Sequence, residues 1–148
     1  MSGEQQRAEQ IGHWLVQQDR FARLLGIELE AVEPGFCRVG LTVTGDMLNA
    51  VGLTHGGVTF TLADFAFAVA SNSHGTVAVA LSAQMNYPAA SRQGDRLTAE
   101  AREDNRTGRT GLYTIEVRGA DERLVGLFTG TVFRRSDALS DWMNGEQQ

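Results

Sequence analysis

The sequence predicts an α+β domain in which an antiparallel β-sheet wraps around one long central helix. Three observations carry that prediction. The run from Gly57 to Ser71 is helix-like and apolar apart from one charged side chain, Asp64. After it, four strand-like segments follow one another with only short turns between them, which favours antiparallel pairing. Two further strand-like segments precede the helix. A lone apolar helix must be covered, and a sheet of this size is what the chain has to cover it.

Each element follows from its local pattern. Residues 4–25 place Ile11, Trp14, Leu15, Phe21, Leu24 and Leu25 at helix-like spacing, giving one or two short amphipathic helices that Gly26 stops. From Ile27 the pattern is strand-like: Pro34-Gly35 makes a turn, and Cys37, Val39, Leu41 and Val43 alternate on one face. Gly45 to Leu53 reads as a loop, and the helix runs from about Gly56 to Ser71. Val77, Val79, Leu81, Ala83 and Met85 then form the bulky face of a strand whose other face, Ala78 to Asn86, is small or polar. Leu97, Ala99 and Ala101 mark the next strand, and Tyr113, Ile115 and Val117 a third. Leu124 to Phe133 is apolar on both faces, as in a central strand. Turns are expected at residues 105–111 and 119–122. The tail from Ser136 is polar except for Leu139, Trp142 and Met143, and is expected to fray.

The chain of 148 residues suits one domain, with a core over about residues 20–134 and a polar tail over about 136–148. Its net charge of -5 and the absence of a long basic block argue against nucleic-acid binding. The polar start, MSGEQQRAEQ, is unlike a signal peptide, and no window has the apolar length of a membrane span. A cytoplasmic, soluble protein is expected. Cys37 is the only cysteine, so there is no disulfide framework, and no His-Glu-x-x-His or carboxylate cluster suggests a metal.

Asp64 is the anomaly. A carboxylate buried in an apolar helix costs several kcal/mol or shifts its pKa upward unless something compensates. A structural aspartate bonded to a nearby turn is one reading. His55-Gly56-Gly57, just before the helix, favours another. Glycines at a helix start leave the first amides unshielded, and those amides with the positive end of the dipole suit an oxygen gaining negative charge. Gly56 and Asp64 are eight residues apart, about 12 Å along the axis at ~1.5 Å per residue, so one reacting carbon cannot meet both within a chain. If they cooperate, the acid comes from a second copy, which points to a symmetric dimer with sites between subunits.

The string Asn49-x-x-Gly52-x-x-His55-Gly56-Gly57-x-x-Phe60-x-Leu62-Ala63-Asp64, followed by Ala66, Ala68 and Asn72, resembles the hotdog-fold thioesterases, specifically the phenylacetic acid degradation (PaaI-type) family. The resemblance extends over roughly residues 20–134. It implies that the Gly56 amide polarises a thioester carbonyl and that Asp64, from the neighbouring subunit, is nucleophile or general base. Asn49 would position substrate or water, and His55 would shape the turn and contact the acyl side. The acyl-CoA substrate would be small and aromatic, of phenylacetyl or hydroxyphenylacetyl type, and the assembly a dimer of dimers. No cofactor is implied.

Several residues carry two readings. Asn49 could simply bond its own loop, and His55 could be structural. Gly57 could admit substrate alongside Gly56. Phe60 and Phe67 could line an aromatic acyl pocket or be plain core. Ser82, on the small face of the next strand, could approach the acid. Arg106 and Arg109 could meet the phosphates of coenzyme A or be solvated turn residues. A hydratase or dehydratase of the same fold is the enzymatic rival, but it would pair an acid with a histidine that this helix lacks. An acyl-CoA-binding module without catalysis is the other rival, and it would not need Asp64.

Overall fold

The computed structural model describes residues 2–145. Ser2 starts α1 (Gly3–Gln18) by accepting the Gln5 amide. The helical stretch expected over residues 4–25 is two helices, because Asp19 leaves the helical conformation. Its Oδ1 accepts the Ala22 amide at 2.9 Å and starts α2 (Arg20–Leu24). The strands are β1 (Glu28–Glu33), β2 (Phe36–Thr42), β3 (Thr76–Asn86), β4 (Arg96–Thr107), β5 (Thr110–Arg118) and β6 (Leu124–Ala138). The long helix, α3 (Gly56–Asn72), lies between β2 and β3 in sequence, and a short α4 (Leu139–Met143) follows β6. All pairings are antiparallel, in the order β1-β2-β4-β5-β6-β3.

The inward positions read from alternation form the core against α3. Cys37, Val39, Leu41 and Val43 are at most 2% exposed, and Leu97, Ala99, Ala101, Tyr113, Ile115 and Val117 are equally buried. Phe67 of α3 meets Tyr113 edge-on with ring centroids 5.6 Å apart, and Phe128 at 5.4 Å. Gly130 of β6 makes that packing possible: a Cβ there would lie 2.6 Å from Phe67 Cζ. A fully buried side chain of this size contributes about 1.5–3 kcal/mol.

Four expectations change. The strand starting at Leu124 is interior but not central, next to the edge strand β3, and Thr129, Thr131 and Phe133 turn away from α3 while Phe128, Gly130 and Val132 face it. The turn expected over residues 105–111 shrinks to Gly108-Arg109, because β4 and β5 stay paired to Thr107 and Thr110. The expected fraying tail is ordered through Gly145: β6 continues to Ala138, and Leu139, Trp142 and Met143 pack on Ile11 and Val77. Residues 146–148 lie outside the described ones. Finally, α3 is not buried all round. Gly57, Phe60, Thr61, Asp64 and Ala68 form a partly exposed stripe on one face, where neither the sheet nor α1 covers it.

Candidate active site

The loop before α3 is tied down before the helix begins. Asn49 Oδ1 accepts the amides of Val51 and Leu53, both at 3.0 Å, and the Asn49 amide donates to the Leu53 carbonyl at 2.7 Å. Thr54 is held to Ser91 twice, through its amide at 2.9 Å and hydroxyl to hydroxyl at 2.7 Å. The His55 amide donates to the Met47 carbonyl at 2.8 Å. The end point of all these bonds is one place, the first peptide of α3.

There, His55 caps the helix. Its Nδ1 accepts the Gly57 amide at 2.9 Å and its carbonyl accepts the Val58 amide at 2.9 Å. An accepting Nδ1 assigns the proton of the neutral ring to Nε2. Of the first three amides of the helix, these two bonds leave one without an acceptor. Gly56, the first residue of the helix, has no intrahelical acceptor, and among the described residues its N–H meets no other. So His55 removes Gly57 from the set of available amides and leaves Gly56 without an acceptor, at the positive end of a 17-residue helix. Gly57, expected as a second substrate contact, donates within the protein.

Tyr87, just past β3, completes this corner, and sequence reading passed over it. Its hydroxyl donates to the Gly56 carbonyl at 3.1 Å, and its ring lies 3.4 Å from where a Gly56 Cβ would be. The available signal was an aromatic residue before a proline at the end of a strand, which is too common to single out.

Asp64 lies on the open stripe of α3, half-buried. Burial, and secondarily the charge of Asp19, hold its carboxyl above the ordinary aspartate pKa, and among the described residues no hydrogen bond or cation offsets them. The reading as a structural aspartate with a turn or strand partner therefore does not fit. Phe60 is on the same stripe, edge-on to Phe128 at 5.3 Å.

The remaining candidates sit elsewhere. Phe67 is 2% exposed and belongs to the core. Ser82 does not share the face expected from strict alternation, because a bulge between Ala80 and Ser82 changes the phase of β3. Val79 lies opposite Phe133 and Ser82 opposite Thr131, both on the outer face of the sheet, while Met85 lies opposite the inward Phe128. Ser82 thus lines a groove with Thr114, Thr129 and Thr131, away from α3. Arg106 and Arg109 are near the β4–β5 turn, which adjoins the C-terminal end of α3 through a His74–Glu103 contact of 2.7 Å. They are separated from Gly56 of the same chain by the helix length, about 25 Å. Arg109 donates to the Arg134 carbonyl at 3.1 Å.

An antiparallel sheet wrapped on one helix, an unengaged amide at the helix start and an uncompensated acid in its middle define a hotdog-fold hydrolase acting at a carbonyl. Residues 51–126 match the family described as the thioesterase superfamily. Acyl-coenzyme A thioesterase PaaI of Escherichia coli K12 is 39% identical over 128 residues, covering 86% of this chain and 91% of the relative. The solved E. coli PaaI protein from the phenylacetic acid degradation operon superposes with a TM-score of 0.88 at 37% identity, over 90% of this chain and 97% of that one. A Streptococcus mutans UA159 protein solved bound to acetyl CoA matches with a TM-score of 0.72 at 29% identity, over 74% of this chain and 89% of that one. The chain belongs to the thioesterase superfamily, in its PaaI-type branch, and is a thioester hydrolase.

Proposed function

We propose that the chain hydrolyses acyl-CoA thioesters of small aromatic acids, of phenylacetyl or hydroxyphenylacetyl type, in phenylacetate catabolism, with each site built from two copies. The observation that carries the reading is the pairing on α3 of a free Gly56 amide with an uncompensated Asp64 that is too far along the same helix to serve it. A second copy resolves that distance, and the chain has an edge suited to receive one. Among the described residues β3 is paired only to β6, and its residues 79–84 are exposed on both faces, with Leu81 61% and Val79 42% exposed. An unpaired apolar edge favours pairing with another strand. A two-fold dimer through this edge and the open stripe of α3 would cover both, and two dimers would form a tetramer. Among the described residues no helix is long and apolar enough to cross a membrane, and a cytoplasmic location belongs to the proposal.

In this scheme the Gly56 N–H holds the thioester oxygen as it becomes an oxyanion. Asp64 of the other copy either takes a proton from the attacking water or attacks the carbonyl itself to form an anhydride that water then opens. In both routes the carbon–sulfur bond breaks, the thiolate of coenzyme A leaves and is protonated, and the acid is released. Burial makes Asp64 a stronger base than an exposed aspartate. Asn49 keeps its Oδ1 on the loop, so the Nδ2 amide is the end left for substrate or water. The Nε2–H of His55 is the group left for the acyl side, and Phe60 is the aromatic wall. A thiol-release assay across a panel of acyl-CoAs tests the reading: kcat/KM should be highest for aryl-acetyl-CoA, and a clear preference for palmitoyl-CoA would refute the substrate class.

A further inference from the structure

Arg7 of α1, Arg106 of β4 and Arg134 of β6 converge with His74 on one cavity of about 390 Å³ at the C-terminal end of α3. These residues come from four separate parts of the chain, so folding assembles the cluster. Glu4 shares its wall. On the outer sheet face the arginines are neutralised: Arg38, Arg96, Arg102 and Arg118 all form ion pairs with glutamates. Around the cavity, among the described residues, Arg7, Arg106 and Arg134 form none. With 18 acidic residues against 13 basic ones, a shortage of carboxylates does not explain that.

Arg134 is held in place by neutral groups instead. Arg134 donates to the Thr110 carbonyl at 3.1 Å and to the Gly108 carbonyl. Arg7 lies over Gly75, where an added Cβ would be 3.2 Å from Arg7 Cδ. His74 is oriented by Glu103 Oε2 at 2.7 Å, and the same oxygen accepts the Tyr113 hydroxyl at 2.6 Å. Carbonyl acceptors orient a guanidinium without cancelling its charge. Arg7, Arg106 and Arg134 outnumber the two carboxylates beside them, Glu4 in the wall and Glu103, whose charge acts on Arg106, so the concavity keeps an excess of positive charge that suits an anion. Guanidinium forks match phosphate oxygens in pairs.

We infer that the cavity bounded by Arg7, His74, Arg106 and Arg134 binds a phosphate-bearing ligand. Two sources share that chemistry. One is the nucleotide end of an acyl-CoA whose thioester lies on another copy's Gly56, and this source rests on the thioesterase reading above. The other is a free phosphate compound, which does not.

Titration with inorganic pyrophosphate, followed by calorimetry, tests the site directly and needs no turnover. Wild-type protein should bind saturably, and Arg7→Gln and Arg106→Gln should each weaken binding by roughly tenfold or more. KM is then compared for an acyl-CoA and for the same acyl group on N-acetylcysteamine, which has no phosphate. A rise in KM confined to the CoA thioester in Arg7→Gln supports the site and identifies coenzyme A as its source. Loss of pyrophosphate binding with neither KM changed supports the site and identifies a free phosphate compound. Equal binding by wild type and both variants, or no saturable binding by wild type, overturns the proposal.

Discussion

The Tyr87 hydroxyl donates to the Gly56 carbonyl at 3.1 Å, while the N–H of the same peptide group, on Gly57, donates to His55 Nδ1 at 2.9 Å. A glycine-glycine peptide has little intrinsic stiffness, and this one is held at both ends. The open N–H of Gly56 belongs to the preceding peptide, joined to this one through the Gly56 Cα, so fixing this plane restrains the direction of that N–H.

Tyr87→Phe removes one of the two bonds and keeps the ring against Gly56. Turnover should fall by about 3- to 10-fold with KM nearly unchanged, since the loss bears on the oxyanion more than on ground-state binding. Tyr87 is 51% exposed, so the melting temperature should barely move. A variant with full kcat shows that His55 alone is enough to aim the amide.

Asp64→Asn keeps the volume and removes the charge. Thioester turnover should drop by about 10² or more. Stability should move the other way. A carboxyl whose folded pKa is raised disfavours the folded state once ionised, so stability declines as pH rises from the ordinary value of 3.8 through the folded one. At neutral pH the asparagine variant should therefore melt no lower than wild type, and thermal melts on both proteins check this. Near-normal activity in a folded variant would remove Asp64 from the mechanism.

Glu103 shows the opposite linkage. Burial alone would raise its carboxyl, but hydrogen bonds from Tyr113 and His74, with the charges of His74 and Arg106, hold it below the usual 4.5. A carboxyl depressed in the folded state stabilises above its unfolded value and loses that contribution as pH falls through the folded one. Glu103→Gln should cost about 1–3 kcal/mol at neutral pH, because two donors lose a charged acceptor. The difference from wild type should narrow on acidification below 4.5. Denaturant melts at a series of pH values test it, and a gap independent of pH would mean that the charge of Glu103 contributes nothing.

Sites shared between copies predict rescue. Asn49→Ala loses the acceptor for the Val51 and Leu53 amides and so disturbs the Gly56 side of a site, while Asp64→Ala removes the acid. If each variant is inactive alone, refolding an equal mixture makes about half the dimers mixed, and each mixed dimer has one site with both native residues. Activity should recover to about a quarter of wild type. No recovery despite demonstrated subunit mixing would place Asn49 and Asp64 in one chain's site.

Periodicity together with the short turns determined the elements and layers of this protein, though not the place of every strand in the sheet. The alternation of Cys37, Val39, Leu41 and Val43, and of Tyr113, Ile115 and Val117, identified the inward faces, because successive strand residues point to opposite sides. The same local rule failed at Ser82, because a bulge is a property of two paired strands and leaves no reliable mark on one of them. His55-Gly56-Gly57 and Asp64 were legible as residue types at a spacing. Which amide stays open was not: that depends on His55 Nδ1 turning back to Gly57 and on Tyr87 arriving from the far end of β3. Nor could sequence show that Asp64 lies on an uncovered stripe, since a helix apolar on nearly every side gives no sign of which side the sheet leaves bare. Likewise, the cluster of Arg7, His74, Arg106 and Arg134 spans most of the chain. Charges that far apart in sequence become one site only when sheet and helices are packed.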